Sequence, residues 1–310
     1  MINFLYMYPV LLTLFGYQVT SFGVFLILGI LSSLFVLWRL AHIYEVDAEK
    51  VLDLFFITAI VSFIGSRALF VLTNLNAFDS ITKMVVFFKY SGLSFWGGLI
   101  AGILILRVIS PRFKLNIWQI ADLGIVAAFM MISIMSFGCL FGGCQYGLPY
   151  DGWFAVKQFG LPGSRFPLQL IESGVFLLGF IYLWHASLRF HYNGRIAAMG
   201  IITLSILKLI LEPLRGDPKL YVLGFSSGTL FSLFFLLFGI TIFYHQSKRS
   251  IKSDLKFLAS LVVSTKRRNL MVLKLRRNWY NFYVQSTHSF SRWRKGLSKQ
   301  FRIKSTPTKF

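Results

Sequence analysis

Acidic residues are scarce in this chain, 11 in 310, and charged residues together make up only 14%, where a soluble domain carries about a quarter. With 56% hydrophobic residues and a mean hydropathy of +0.67, that shortage excludes an ordinary soluble domain and a disordered chain alike. Cysteine is nearly absent too. Cys139 and Cys144 cannot build a disulfide scaffold. No histidine lies near them in sequence, so the four ligands of a structural zinc site are missing. Neither a metal nor a cofactor is expected. The pair either forms one disulfide or packs as small apolar residues. Ser-His-Asp, P-loop and dinucleotide patterns are lacking. The first ten residues, MINFLYMYPV, have no basic stretch ahead of the apolar ones, so no cleaved signal peptide is expected.

What the chain does hold is apolar runs. Seven are long enough to cross about 30 Å of hydrocarbon, near 21–41, 51–73, 92–110, 117–137, 167–188, 195–213 and 225–245. Strands are not expected, because no long run alternates with period two and lipid forbids open sheet edges. The fold class that follows is an all-α polytopic transmembrane protein of about seven spans. Its parts are a membrane domain over 1–247 and a basic tail over 248–310. The tail holds 17 Lys and Arg against the single acid Asp254. Basic residues set the orientation. Arg39, Lys50, Arg107, Arg112, Lys114, Arg189 and Arg195 share one side with the tail; Lys83, Lys89, Lys157, Arg165, Arg215 and Lys219 lie on the other. The expectation is N-terminus out, C-terminus in.

The outer connection 138–166, GCLFGGCQYGLPYDGWFAVKQFGLPGSRF, contains seven glycines and two prolines. It is too glycine-rich for a helix and too apolar for a solvated linker. Backbone of that kind survives at membrane depth only when packed in protein or lining a cavity, which marks it as the place to seek a site. The tail interleaves KRRN, KLRRNW and RWRK with aromatics. That pattern suits anionic lipids of the cytoplasmic leaflet or a merely solubilising, orienting tail. Stacking on nucleic acid through Trp279, Tyr280, Phe282 and Trp293 is the minor alternative, and no specific nucleic acid is expected.

Ionisable residues inside spans are costly and mark function by default. Arg67 in FIGSRALFVL, Glu172 after FPLQL, and Glu212 with Arg215 in LEPLRGD all fall toward the outer side. The planar guanidinium fork can bond two phosphate oxygens at once. Arg67, Arg165 and Arg215 at one membrane face therefore suggest an anionic headgroup as ligand. Snorkelling of Arg67 and a structural Arg215–Glu212 pair are the competing explanations. Gly97-Gly98 in SGLSFWGGLIAG allows either a close ligand approach or helix packing. Asp122, near the cytoplasmic end of its span, is expected to cap or to pair with Lys114.

Taken in order, SFGVFLILG, VLDLFF with GSRALFVL, GLSFWGGLIAG, FGCLFGGCQYGLPYDGW, FPLQLIES, LEPLRGD and GFSSGTLFSL resemble the prolipoprotein diacylglyceryl transferase family over roughly residues 9–246. The resemblance implies a multi-pass enzyme of the bacterial cytoplasmic (inner) membrane. Its reaction transfers the diacylglyceryl group of phosphatidylglycerol to the lipobox cysteine thiol in the signal peptide of a prolipoprotein. It implies Arg215 and Glu172 as catalytic residues, with Gln169, Gly97, Gly98, Gly138 and Gly143 contacting substrate; the charge reading adds Arg67 and Arg165 as substrate contacts. Phe22, Trp96, Ser136 and Phe166 stand where the family carries Tyr, His, Arg and His. A non-catalytic phospholipid- or precursor-binding protein on the same fold is therefore the alternative.

Overall fold

A computed structural model describes residues 10–14, 17–75, 79–80, 82, 84, 92–158, 160–189, 191–217, 221–222, 224–247, 250–254 and scattered positions of 269–280. The chain divides into two units, 1–248 and 249–310. The first is described here. The basic runs of the tail and the cations Lys83, Lys89 and Lys219 lie mostly or wholly outside the described residues.

Among the described residues seven helices form the body: α1 Ser21–Ile43, α2 Ala48–Thr73, α3 Phe95–Ile109, α4 Ile117–Gly142, α5 Leu168–Ser187, α6 Arg195–Leu211 and α7 Ser227–Ser247. Six are long and apolar enough to span a bilayer, α6 when counted with the 3₁₀ turn Glu212–Leu214; α3 is a shorter apolar helix of 15 residues. Strands were not expected, yet among the described residues three small antiparallel hairpins flank helix ends: β1 Val10–Leu14 with β2 Tyr17–Thr20, β3 Val156–Lys157 with β4 Ser164–Arg165, and β5 Tyr221–Val222 with β6 Phe225–Ser226. They lie in the connections at the end where α1 begins. There a chain reversal satisfies its own backbone groups, and none of the three crosses the membrane span.

Local chemistry places the helix starts. Thr20, Asp47, Ser94 and Asn116 each accept a backbone N–H from the first turn of the helix they precede, which satisfies donors the helix itself leaves open. Leu40, Leu54, Leu123, Val126, Phe129, Phe176, Leu183 and Ile196 fill the core between α1, α2, α4, α5 and α6. Large apolar side chains such as Ile27, Leu31, Phe35, Ile60, Ile64, Phe234 and Leu237 stay exposed, as lipid-facing positions should. α3 lies against α2 through small residues. A Cβ on Gly97 would come within 2.6 Å of Gly65 O and of Leu69 Cβ, and one on Gly98 within 3.2 Å of Ser62 O. The Gly97-Gly98 pair is thus helix-packing surface.

Asp122 is fully buried, and it neither caps its own helix nor bonds Lys114. Its carboxylate accepts the N–H groups of Gly194 at 2.7 Å and Ala197 at 2.6 Å. It thereby caps α6, whose Gly194 start offers no side chain. His191 lies 3.7 Å from the same carboxylate and bonds Tyr44 Oη at 2.9 Å and Arg189 O at 2.5 Å. Asp122 holds the His191 pKa above its ordinary value, against the effects of burial and Arg195. A raised histidine pKa stabilises the fold fully below the unfolded value of about 6.5. That contribution disappears as pH rises through the folded value. Thermal unfolding in detergent should therefore lose stability from about pH 6.5 upward, and His191→Gln should flatten the slope. An unchanged slope in that variant removes His191 as its source.

Candidate functional site

The residues that converge come from two helices and one turn. Lys208 on α6, Glu212 at the head of the 3₁₀ turn after it and Arg215 just past that turn are spaced i, i+4, i+7 in sequence and converge on one cavity. On α5, Glu172 stands one turn after Gln169. Lys208 Nζ forms an ion pair with Glu172 Oε1. The ammonium also sits 5.8 Å from the centre of the Phe95 ring and 5.7 Å from that of Phe176. Glu212 accepts Ser226 Oγ at 3.0 Å and Arg215 Nη1 at 3.5 Å. A Cβ on Gly228 would collide with the Glu212 carboxylate, so only glycine lets the start of α7 approach it.

These groups open onto a cavity of about 270 Å³. Glu172, Lys208, Glu212 and Arg215 supply its charges, Ser136, Gln145, Ser227 and Ser232 its neutral polar groups, and Leu93, Phe95, Trp96, Ile132 and Met135 its apolar wall. Trp96 is stacked on Phe231 and Phe235 at 5.0 and 5.2 Å. A pocket with two anions, two cations and an aromatic wall suits a ligand that joins an ionic headgroup to hydrocarbon.

The glycine-rich excursion explains where Arg215 sits. Gly216 N–H donates to Tyr146 O at 2.8 Å and Leu148 N–H to Leu214 O at 3.1 Å, so segments 146–148 and 214–216 run side by side. Cβ atoms on Gly216 and Gly147 would strike the backbone of Gly147 and Phe166 respectively. Three strands of backbone stack only because side chains are missing there. Cys139 and Cys144 form a disulfide, tying the last turn of α4 to the start of the excursion. Gln169 Nε2 donates to Cys144 O at 2.9 Å. Arg215 itself is held by Asp217, with Nε to Oδ1 at 3.0 Å and Nη2 to Oδ2 at 2.5 Å. Burial works against its charge, but Asp217, Glu212 and Glu172 outweigh burial and raise its pKa.

Of the ionisable residues singled out in the sequence, Arg215, Glu172 and Glu212 line the cavity. The seven expected substrate contacts are not among the described residues that line it. Arg67, buried at the end of α2, donates to Met84 O at 2.8 Å and Gly92 O at 2.9 Å and lies 5.7 Å from the Phe70 ring. Arg165 lies over the Tyr146 ring at 5.0 Å and donates to Gly147 O at 3.5 Å. Gln169 is buried beneath the excursion. Gly97 and Gly98 pack on α2, Gly138 on Phe25, and Gly143 ends α4 in the left-handed conformation at φ 76°. Lys208 and Gln145 reach the cavity and were not candidates. The spacing Lys208, Glu212, Arg215 was the available signal for Lys208, whereas Gln145 carried none. Trp96 and Ser136 line the cavity as well, while Phe22 packs over Gly142 and Phe166 against Tyr150 and Phe154.

Residues 9–245 match the family model described as prolipoprotein diacylglyceryl transferase. The phosphatidylglycerol–prolipoprotein diacylglyceryl transferase of Finegoldia magna is 25% identical over 245 residues, covering 79% of this chain and 98% of that protein. The protein of the same name from Clostridium tetani is 25% identical over 244 residues, 76% and 97% of the two chains. That of Streptococcus pneumoniae is 23% identical over 249 residues, 78% and 95%.

Proposed function

Because the chain belongs to the prolipoprotein diacylglyceryl transferase family, we propose that it moves the diacylglyceryl group of phosphatidylglycerol onto the lipobox cysteine thiol of prolipoproteins. The supporting observation is the convergence of the Glu172–Lys208 and Glu212–Arg215 pairs on one aromatic-walled cavity at the end of a membrane helix bundle. In the reaction a thiolate attacks the terminal glyceryl carbon, the carbon–oxygen bond breaks, and glycerol phosphate leaves. The phosphodiester begins with one negative charge and ends with two. Cations placed where that charge develops lower the barrier, which is the role of Arg215, assisted by Lys208. Glu172 holds Lys208 at the cavity and, with Glu212, can take the thiol proton.

The remaining candidates act around this centre. Gln169 fixes the excursion at Cys144, Gly143 turns the chain into it, and Gly97, Gly98 and Gly138 let neighbouring helices close beneath it. Arg67 and Arg165 brace the connections beside the cavity, and Arg165 meets the outer headgroups. The setting is the bacterial inner membrane with the N-terminus outside, and the basic tail contacts anionic lipid of the inner leaflet.

Reconstitution with phosphatidylglycerol and a lipobox peptide, read by mass spectrometry, tests this proposal. A diacylglyceryl adduct on the peptide cysteine is expected. Trp96 and Ser136 at the cavity favour a second reading, since neither carries the charge or proton of the His and Arg they stand for. Lipid binding without any adduct would establish that non-catalytic role.

A further inference from the structure

All three nitrogens of the Arg215 guanidinium are engaged by carboxylates of the same chain. Asp217 takes Nε and Nη2 at 3.0 and 2.5 Å in a fork-to-fork pair, and Glu212 takes Nη1 more loosely at 3.5 Å. The two-oxygen edge that Asp217 presents is the edge a phosphate would present. Asp217 is not among the described cavity-lining residues. Its side chain is 21% exposed, and it stands two residues beyond Arg215, across the Gly216 backbone that is pinned to Tyr146. The carboxylate thus competes for Arg215 from outside the cavity.

The competition depends on charge. A phosphodiester with one negative charge meets a preorganised carboxylate on equal terms and gains little by displacing it. A phosphomonoester with two charges attracts the guanidinium more strongly. We propose that Asp217 is a positioning residue that withholds Arg215 from the phosphodiester of bound lipid and surrenders it to the phosphate as the carbon–oxygen bond breaks. This inference rests on the transfer chemistry proposed above. In that step the sulfur–carbon bond forms from the thiolate electron pair, the thiol proton having already gone to a cavity carboxylate, Glu172 or Glu212. The carbon–oxygen pair goes to the phosphate oxygen, so one charge on sulfur and one on phosphate become two on the leaving phosphate. The released Asp217 side chain, 21% exposed, turns toward water.

The test is Asp217→Asn, which keeps the shape and removes the charge, with Asp217→Ala as a second variant and Asp217→Glu as the conservative control. Two quantities are read on the full chain: affinity for phosphatidylglycerol in nanodiscs without peptide, and KM and kcat for transfer. In Asp217→Asn and Asp217→Ala, lipid affinity should rise and KM fall about tenfold with kcat little changed, because bound lipid then trades one pairing of Arg215 for an equal one, so kcat/KM rises. Asp217→Glu should restore both parameters. In an Arg215→Gln background, Asp217→Asn should leave lipid affinity unchanged. Adduct formation by the parent chain with unchanged or weaker lipid affinity in Asp217→Asn overturns the hand-over and leaves the transfer reading standing. An unaltered parent chain that makes no adduct overturns both.

Discussion

Replacing Arg215 by alanine is expected to abolish diacylglyceryl transfer, with kcat down at least about 100- to 1,000-fold, while the protein still inserts and folds. Arg215 is a cation of the cavity with its side chain 26% exposed, so a phosphate can reach it without unpacking the bundle. The backbone around it is held independently, through Gly216 N–H to Tyr146 O and Leu148 N–H to Leu214 O, and these bonds survive truncation of the side chain. Glu212 keeps the Ser226 hydroxyl as donor, and Asp217 turns to solvent. Arg215→Lys should fall between the two, because an ammonium keeps the charge and loses the two-pronged geometry. Adduct yield by mass spectrometry measures activity, and thermal unfolding in detergent checks folding. Transfer by Arg215→Ala at more than about a tenth of the normal rate would discard the electrostatic role assigned to this residue.

Much of the fold was written in hydropathy. Expected spans at 21–41, 51–73, 167–188, 195–213 and 225–245 differ from the helices by a few residues at either end. The largest error is instructive. The fourth span was expected to stop at 137, before Gly138, but α4 runs to Gly142. Gly138 and Gly142 look like breakers in sequence; in the structure they are helical positions against which the side chains of Phe25 and Phe22 pack. Gly143, with φ 76°, is the true stop. Single-sequence patterns do not distinguish a glycine that ends a helix from one that admits a neighbour.

The site was half legible. Charged residues in apolar surroundings exposed Arg215 and Glu172, because such residues rarely occur without a reason. Lys208 had the same signature, yet nothing linked it to Glu172, 36 residues away. Asp122 shows the same limit. Its partners are the N–H groups of Gly194 and Ala197, 72 and 75 residues on, and the nearby Lys114 was the only partner sequence could offer. The hairpins β3–β4 and β5–β6 escaped for a different reason, since two paired residues leave no period to read, and β1, VLLTL, does not alternate.

The Glu172–Lys208 pair should separate stability from activity. Its side chains are 3% and 14% exposed, and removing one member of a buried pair costs about 3–5 kcal/mol because the other charge is left stranded. The two single variants should differ. Lys208→Met strands a carboxylate. Glu172→Leu strands an ammonium that still faces the Phe95 and Phe176 rings, contacts worth about 0.5–2 kcal/mol. Lys208→Met should therefore unfold at the lower temperature. The double variant Glu172→Leu with Lys208→Met replaces the pair by apolar groups of similar bulk, and most of the lost stability should return. Activity should not return if Lys208 and Glu172 have the roles proposed above, because the double variant leaves Arg215 without its assisting cation and removes one of the two carboxylates of the cavity. Thermal unfolding and adduct yield on the three variants measure the two properties separately. A double variant that regains both would make the pair purely structural and leave Arg215 as the cavity's working cation.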